Sequence, residues 1–273
     1  MVNKNFGIYS DDLSGCDLMI ETGSDYIVCW CKDKAAGVVK AFEQFGFEAN
    51  FYNSFEKLFN DVQLHSRLLT THFSNVYCIW GHSTCVCIPN ELYSRGMAAS
   101  AMELMFGQTI EQRSVIENTF GDCVVSTAIN EDAWDVYTKH YRITANMHKY
   151  YSLLKMQKPH DDEDKLHLVF YNNDFIISAY KKAQLQIVQR FTYKAPEDVL
   201  YHVLNVCKTY QLNNADMRVR CSGMIDDSSS LYSTLLSYLG DFSFETADKK
   251  LFAAEGFHEY PLHYFVSFCQ HDV

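Results

Sequence analysis

The sequence lacks three features that would assign it to a membrane, an export route or a nucleic acid. No stretch of its 273 residues approaches the ~18 consecutive apolar residues that a membrane-spanning helix needs. The first residues, MVNKNFGIYSDDLSG, contain no apolar signal core, so a cytoplasmic protein is expected. The formal net charge is −11, and because no basic patch interrupts this negative charge we expect no nucleic-acid binding.

Two kinds of catalytic or metal motif are also missing. A serine hydrolase is not favoured for the pair His82-Ser83, because no Gly-x-Ser-x-Gly elbow occurs anywhere in the chain. His258 and His263 are five residues apart, which is not the i, i+4 spacing of a helical metal pair. Capping or surface roles are the favoured interpretation of these two histidines.

Cysteine, by contrast, is plentiful. The chain has ten cysteines, several of them inside apolar strand-like runs, and in a reducing compartment they should remain thiols. Cys29 with Cys31 and Cys85 with Cys87 could each present two thiols on one face of a strand and together hold one zinc ion. Their spacing lacks the longer turn usual in zinc sites, so we interpret them as buried small side chains. A zinc or redox protein is the alternative, which metal analysis of the native protein would test.

The chain is long enough for about two domains of ~150 residues each. A polar segment over 158–165 interrupts its middle with four consecutive acidic residues, which gain little from burial. We therefore predict a first domain over 1–157, an acidic linker over 158–165 and a second domain over 166–273. The alternative is a long surface loop within one domain.

The residues on the two sides of this linker look alike, which indicates a duplication. LMIETGSDYIVCWC (18–31) is similar to LVFYNNDFIISAY (168–180), and the same offset of 149 residues continues through a third strand-like run. An amphipathic helix and a further strand follow in each half. Each half therefore reads strand, strand, strand, helix, strand. Chance similarity among short apolar strands is the alternative.

Ser54 is predicted to cap the helix of the first half, and Pro196 to open that of the second. The first half then contains additional material, which we predict to be an inserted subdomain around 85–145. The elements predicted there are a strand at 85–89, a helix at 90–106, a strand at 123–129 and a helix that Asn130 caps. The second half is predicted to end with a helix at 229–239, a strand and a helix begun by Pro261.

Two tandem halves of this kind resemble the actin-like ATPase superfamily, which includes actin, the heat-shock chaperone ATPases and the sugar kinases. The segments CVCIPNELY (85–93) and HEYPLHYFV (258–266), with the strand around Val124–Ile129, are similar to those of an uncharacterised bacterial family with this fold. The resemblance covers nearly the whole chain. It implies an α/β protein of two tandem ribonuclease-H-like (actin-like ATPase) domains, each a mixed sheet of strand-strand-strand-helix-strand order flanked by helices. In that superfamily, ATP lies between the halves and a hairpin of each half touches its phosphates.

The resemblance makes the turn after the first strand of the repeat a candidate phosphate hairpin. Superfamily members usually carry Asp-x-Gly there, whereas this chain has Glu21-Thr22-Gly23, whose longer carboxylate would misplace a metal-bound water. Thr22, Gly23 and Ser24 are the candidate cofactor-binding residues, because hydroxyl and backbone N–H groups can approach a phosphate closely. The alternative is a glycine-containing turn that binds nothing.

The second hairpin departs further from the superfamily pattern. Its turn, Tyr171-Asn172-Asn173, has no glycine and places a bulky ring where a phosphate would need space, although Asn tolerates left-handed turn geometry. Gly223 stands where paired glycines typically hold the adenosine, and the acidic residues after it would repel phosphate. We therefore expect a degenerate nucleotide cleft without ATP hydrolysis. Its candidate residues are Thr22, Gly23, Ser24, Asn172, Asn173 and Gly223.

The first functional hypothesis is a non-catalytic binding or scaffold protein that needs no cofactor. Some superfamily members are assembly scaffolds in bacterial secretion or pilus machinery, so a protein partner is expected by analogy. The alternative is an ATP-binding enzyme, an ATPase or a small-molecule kinase, with ATP and Mg²⁺ as its cofactors. The second hairpin separates the two, because the enzyme needs Asp-x-Gly where this chain has Asn172-Asn173.

Overall fold

The computed structural model describes residues 1–82, 84–107, 109–111, 114–157 and 163–269. The chain forms two compact units. The first contains Met1–Ser152 and Lys250–Glu259, and the second contains Leu153–Lys249 and Tyr260–Val273. The segment over 250–259 belongs to the first unit because Phe252 bridges to Val39 and Ala253 N–H donates to the Val39 carbonyl at 2.9 Å. The predicted domain over 166–273 included this segment.

The first unit contains nine strands and four helices within the described residues. The strands are β1 (Asn3–Tyr9), β2 (Cys16–Thr22), β3 (Tyr26–Asp33), β4 (Val39–Gly46), β5 (Val76–Trp80), β6 (Cys85–Pro89), β7 (Val115–Phe120), β8 (Cys123–Ala128) and β9 (Ile143–His148). The helices are α1 (Phe55–His65), α2 (Met97–Phe106), α3 (Glu131–His140) and α4 (Lys149–Met156). The boundary between the units falls within α4. The sequence analysis did not predict β1, β7, β9 or α4.

Six of these strands form one mixed sheet in the order β1-β4-β3-β2-β5-β9, antiparallel from β1 to β2 and parallel from β2 to β9. α1 and α3 pack on one face of it, where Phe59 and Tyr137 are fully buried. Each helix begins at its predicted cap: the Ser54 hydroxyl accepts from Lys57 N–H at 3.4 Å, and Asn130 Oδ1 accepts from Ala133 N–H at 2.9 Å. Both helices begin at the same edge of the sheet, where β2 and β5 end.

The predicted insertion contains a separate three-stranded antiparallel sheet in the order β6-β8-β7. α2 packs on it through Ala98 and Met102. The helix predicted from residue 90 begins only at Met97, because Gly96 has a φ of +85° and interrupts the helical backbone before it. α3, also inside the predicted range 85–145, packs on the six-stranded sheet instead, and β9, which begins inside that range, is a strand of that sheet.

The second unit has one five-stranded mixed sheet in the order β12-β11-β10-β13-β14. Its strands are β10 (Lys165–Phe170), β11 (Asp174–Lys181), β12 (Gln184–Thr192), β13 (Arg218–Gly223) and β14 (Asp241–Phe244). Its helices are α5 (Pro196–Tyr210), α6 (Ser230–Tyr238) and α7 (Val266–Cys269). Pro196 opens α5, as predicted, and the helix predicted at 229–239 is α6, which Ser229 caps. Pro261 precedes a three-residue 3-10 turn rather than a continuous helix.

The ladders of the two hairpins give a different offset from the one read in the sequence. The last pair before each turn is Thr22–Ile27 in the first unit and Phe170–Phe175 in the second. These positions differ by 148 residues, and the residues paired to Ile27 and Phe175 on the next strand, Phe45 and Phe191, differ by 146. The constant offset of 149 is therefore wrong. A shift of one residue moves a strand's side chains to the other face, so that offset matched residues from opposite faces.

Part of the predicted linker, residues 158–162, lies outside the described residues. Of the rest, Glu163 pairs with Arg218 at 2.7 Å, and an Asp164 carboxylate oxygen accepts from Lys182 N–H at 3.0 Å. No helix in the described part of the chain is long and apolar enough to cross a membrane.

Candidate functional site

The first hairpin turns at Gly23, where the Gly23 N–H donates to the Tyr26 carbonyl at 2.9 Å. The ring of Tyr26 folds back over the turn and is buried. A Cβ on Gly23 would lie 2.1 Å from a Tyr26 ring carbon, and one on Gly81 would lie 2.4 Å from the Tyr26 hydroxyl oxygen. Both glycines therefore make room for an aromatic side chain of the hairpin itself.

The Tyr26 hydroxyl reaches Glu21, which is fully buried. It donates to Glu21 Oε1 at 2.8 Å, and Lys149 Nζ donates to the other oxygen, Oε2, at 2.7 Å. Both charged side chains are 0% exposed, so this is a fully desolvated ion pair. We call Glu21, Tyr26 and Lys149 the buried triad. Lys149 is 128 residues from Glu21 in the sequence and was not predicted as a site residue.

The other two candidate residues of this hairpin have different environments. The Thr22 hydroxyl lies 2.5 Å from the Tyr137 hydroxyl, in the core beneath α3, and Thr22 is only 8% exposed. Burial raises the pKa of Tyr137 well above its ordinary value, which keeps this phenol protonated. Ser24, at the tip, is exposed. Of the three predicted residues, only Ser24 thus presents its side chain to solvent.

A pocket of about 600 Å³ lies beside this hairpin within the first unit. Its walls include the hairpin tip, Trp80 at the end of β5, and the first residues of α1 and α3. The amino ends of two helices supply backbone N–H donors, and the carboxyl ends of parallel strands are a common ligand-binding edge. No Lys or Arg is among the described residues that line it, so this pocket offers a polyphosphate no side-chain countercharge.

His82 is one of the residues lining this pocket, and its carbonyl oxygen binds a second histidine. His148 Nε2 lies 2.7 Å from the His82 carbonyl, while His148 Nδ1 accepts from Tyr150 N–H at 3.1 Å. A ring that accepts at Nδ1 and donates at Nε2 is neutral, so His148 is held in one tautomer at the end of β9. Ser83, the other half of the sequence pair, lies outside the described residues.

The second hairpin is closed by its own side chains. Arg190 Nη1 lies 2.8 Å from both carboxylate oxygens of Asp174, and its guanidinium carbon lies 4.5 Å from the centre of the Tyr171 ring. Such an ion pair stacked on an aromatic face is stabilised by charge and by the ring quadrupole. Asn172 and Asn173 are exposed at the tip, and neither has a positive φ, contrary to the left-handed geometry considered for this turn.

Gly223 lies next to this hairpin in the second unit, at the end of β13. Its φ is +84°, and a Cβ there would lie 2.1 Å from the Phe170 carbonyl oxygen. The same carbonyl accepts from Met224 N–H at 2.9 Å. The structure therefore brings Asn172, Asn173 and Gly223 to one edge of the second sheet. Beyond it, the Ser228 hydroxyl and N–H lower the pKa of Asp226, whose carboxylate stays ionised.

The paired cysteines lie in two separate sheets. Cys29 and Cys31 are fully buried on β3, and desolvation raises the pKa of both thiols. Cys85 and Cys87 lie on β6 of the three-stranded sheet, where Cys85 is buried. Among the described residues, no group of three or more His, Cys, Asp or Glu side chains is arranged to hold a metal ion.

Comparison with solved structures shows which fold this protein has. A protein of unknown function with an actin-like ATPase fold from Bacteroides thetaiotaomicron has a TM-score of 0.70 at 15% identity, covering 85% of this chain and 91% of that one. A chain of a PilM–PilN type IV pilus biogenesis complex has a TM-score of 0.58 at 11% identity, covering 94% of this chain and 97% of that one. The protein is thus an α/β mixed-sheet protein with the actin-like ATPase fold.

Its family is one without an assigned activity. The family model described as "Protein of unknown function (DUF3822)" matches residues 8–242, and the chain belongs to that family. No curated protein matches the sequence. The resemblance read from the sequence, an uncharacterised family with an actin-like fold, is confirmed.

Proposed function

We propose that this protein is a non-catalytic binding or scaffold protein whose nucleotide-binding hairpins have become structural. The observation that carries the proposal is the buried triad. A carboxylate that positions Mg²⁺ or its water must face the ligand, whereas Glu21 is 0% exposed and both of its oxygens are bound by Lys149 and Tyr26. The turn glycine that would approach a phosphate contacts the Tyr26 ring instead.

The second unit supports the same proposal independently. The Asp174 carboxylate is neutralised by Arg190, and Tyr171 occupies the turn position where the first hairpin has glycine. Gly223 has a packing reason of its own, the close approach of the Phe170 carbonyl. The residues Thr22, Gly23, Ser24, Asn172, Asn173 and Gly223 are therefore proposed to be vestiges of a nucleotide site. They do not fit Mg·ATP.

The proposal includes an ancient duplication into two ribonuclease-H-like domains, over 1–157 and 166–273 with a linker at 158–165. It is supported by the strand orders, since β4-β3-β2-β5-β9 of the first unit and β12-β11-β10-β13-β14 of the second follow one pattern. In both, three antiparallel strands are followed by two parallel ones. The change of offset from 148 to 146 requires a short length difference between the second and third strands.

The proposed partner is a protein. The support is the analogy with PilM, which occurs in a complex with PilN in type IV pilus biogenesis. The nine cysteines whose side chains the structure describes are free thiols, which suits a bacterial cytoplasm. Affinity purification from the source cells after mild cross-linking should recover one protein in fixed ratio, whether or not ATP is present. A partner recovered only in the presence of ATP would contradict the proposal.

The enzyme alternative is tested by titration with Mg·ATP. Ligand at about 100 times Kd would stabilise the native state by about 2.7 kcal/mol, which is a readily visible melting shift. We expect no shift and no heat of binding at millimolar Mg·ATP. If binding occurs, the exposed Ser24 offers a matched test, because Ser24→Ala removes one tip hydroxyl without touching the buried triad. Binding weakened by that variant would establish a working nucleotide hairpin and overturn the proposal.

A further inference from the structure

A second pocket in the first unit lies at the other end of the sheet, where β5 and β9 begin and α1 and α3 end. It encloses about 500 Å³, within the range of small-molecule sites. Its walls are the segment 69–74, Gln63 near the end of α1, and the residues 140–142 that follow α3. None of these residues belongs to the hairpins or to the buried triad.

Three polar side chains of the pocket wall donate to backbone carbonyl oxygens of the segment that follows α1. Thr70 Oγ1 donates to the Ser66 carbonyl at 2.9 Å, and Thr71 Oγ1 donates to the Arg67 carbonyl at 2.8 Å. The Leu69 carbonyl accepts from the Tyr141 hydroxyl at 2.8 Å. Wall side chains thus satisfy the carbonyl oxygens of Ser66, Arg67 and Leu69.

The pocket wall also contains one arginine and two histidines. Arg142 is exposed and has no hydrogen bond or ion pair with any described residue, and Ser74 and His72 are exposed beside it. The ring of His140 packs against Phe59 at 5.0 Å, which orients it at the pocket wall. The described lining contains no Asp or Glu, although the whole chain has a net charge of −11.

This charge pattern has an ordinary structural explanation. Arg and His are favoured after helix carboxyl ends, where they offset a partial negative charge. That partial charge is about half an elementary charge and acts only within the last turn, whereas Arg142 carries a full charge two residues beyond α3. A guanidinium that has no partner among the described residues, in a described lining without Asp or Glu, leaves a net attraction for an anion.

We propose that this pocket binds a small organic anion, with its phosphate or carboxylate group held by Arg142, His72 and His140. The guanidinium offers paired N–H donors that match the oxygens of either group. The pocket is larger than an inorganic phosphate, and Leu69 and Phe73 supply apolar wall for an organic body. This site is distinct from the hairpins, and its occupancy does not depend on the proposed scaffold role.

The test is calorimetric titration at constant ionic strength with inorganic phosphate, phenyl phosphate and benzoate. Phosphate is expected to bind in the millimolar range, and phenyl phosphate more tightly because its ring adds apolar contact. Arg142→Gln should weaken binding by about tenfold or more, the effect of one charge-assisted hydrogen bond. Arg95→Gln is the matched control, since Arg95 is also an exposed arginine and lies in another part of the unit.

The probes also identify the ligand group. Tighter binding of phenyl phosphate than of benzoate indicates a phosphate ligand, and the reverse indicates a carboxylate. Unchanged melting temperatures of both variants confirm that they fold. The proposal is wrong if none of the three probes binds at about 20 mM, far above ordinary metabolite affinities. It is equally wrong if Arg142→Gln has no effect, or if both variants weaken binding alike.

Discussion

Replacing Lys149 by Met should destabilise the first unit more than any other single loss of an ion pair described above. Both members of the Glu21–Lys149 pair are 0% exposed, and their charged atoms are 2.7 Å apart. Removing the ammonium leaves a buried carboxylate without its counter-ion, which typically costs about 3–5 kcal/mol. Replacing both charges, with Gln at 21 and Met at 149, should recover stability to within about 1–2 kcal/mol of the wild type.

The assay is urea unfolding followed by tryptophan fluorescence. All three tryptophans, Trp30, Trp80 and Trp134, lie in the first unit, so their signal reports that unit. Lys139→Met is the matched control, because the Lys139–Glu56 pair is 67% and 52% exposed and should contribute about 0.2–1 kcal/mol. A loss below about 1 kcal/mol for Lys149→Met, or equal losses in the single and double variants, would refute the reasoning from burial.

Three further predictions follow from local geometry. Gly23→Ala should lower the free energy of unfolding by about 1–3 kcal/mol, because the new Cβ overlaps the Tyr26 ring, and combining it with Tyr26→Ala should cost less than the sum. Gly223→Ala should destabilise the second unit by about 2 kcal/mol or more, because φ is +84° and the Phe170 carbonyl is too close for a Cβ at this position. Amide exchange of β10 and β13 measures the loss, and protection equal to that of the wild type would contradict the prediction. Burial raises the pKa of Cys78 to about 12 from 9.0, so the thiol deprotonates at lower pH in the unfolded chain than in the folded one, and the free energy of unfolding should fall as pH rises above 9. Cys78→Val should reduce the slope of the free energy of unfolding against pH by up to about 1.4 kcal/mol per pH unit. An unchanged slope would count against this prediction.

Local signals account for the elements that the sequence predicted well. Ser54, Asn130 and Ser229 each cap a helix because a side-chain oxygen accepts an N–H only three residues away. Such contacts join residues within a single helical turn, so a short stretch of sequence is enough to predict them. The predicted helix start at residue 90 was wrong because Gly96 takes a positive φ, and the helical backbone begins only after it. β1 and β9 were missed because neither has a strong apolar alternation, and each depends on a neighbouring strand for its pairing.

The candidate site was harder to predict because its important contacts join distant residues. No local pattern indicates that Lys149 would reach Glu21, or that Arg190 would stack on Tyr171 while it binds Asp174. The sequence identified both hairpins and their unusual residues. It could not say which groups would occupy the space that those residues leave.

The role of the first hairpin turn depends on which group packs against Gly23. A glycine lets another group approach the backbone closely, and the sequence does not distinguish a phosphate from an aromatic ring as that group. Here the missing Cβ at Gly23 and the missing Cβ at Gly81 accommodate one side chain, Tyr26, whose hydroxyl binds the same Glu21 that Lys149 neutralises. A nucleotide would therefore have to displace a buried ring and compete with a desolvated ion pair. In the proposed scaffold function, loss of catalysis and gain of rigidity at this hairpin would have one physical cause, because the groups that would serve a ligand stabilise the fold instead.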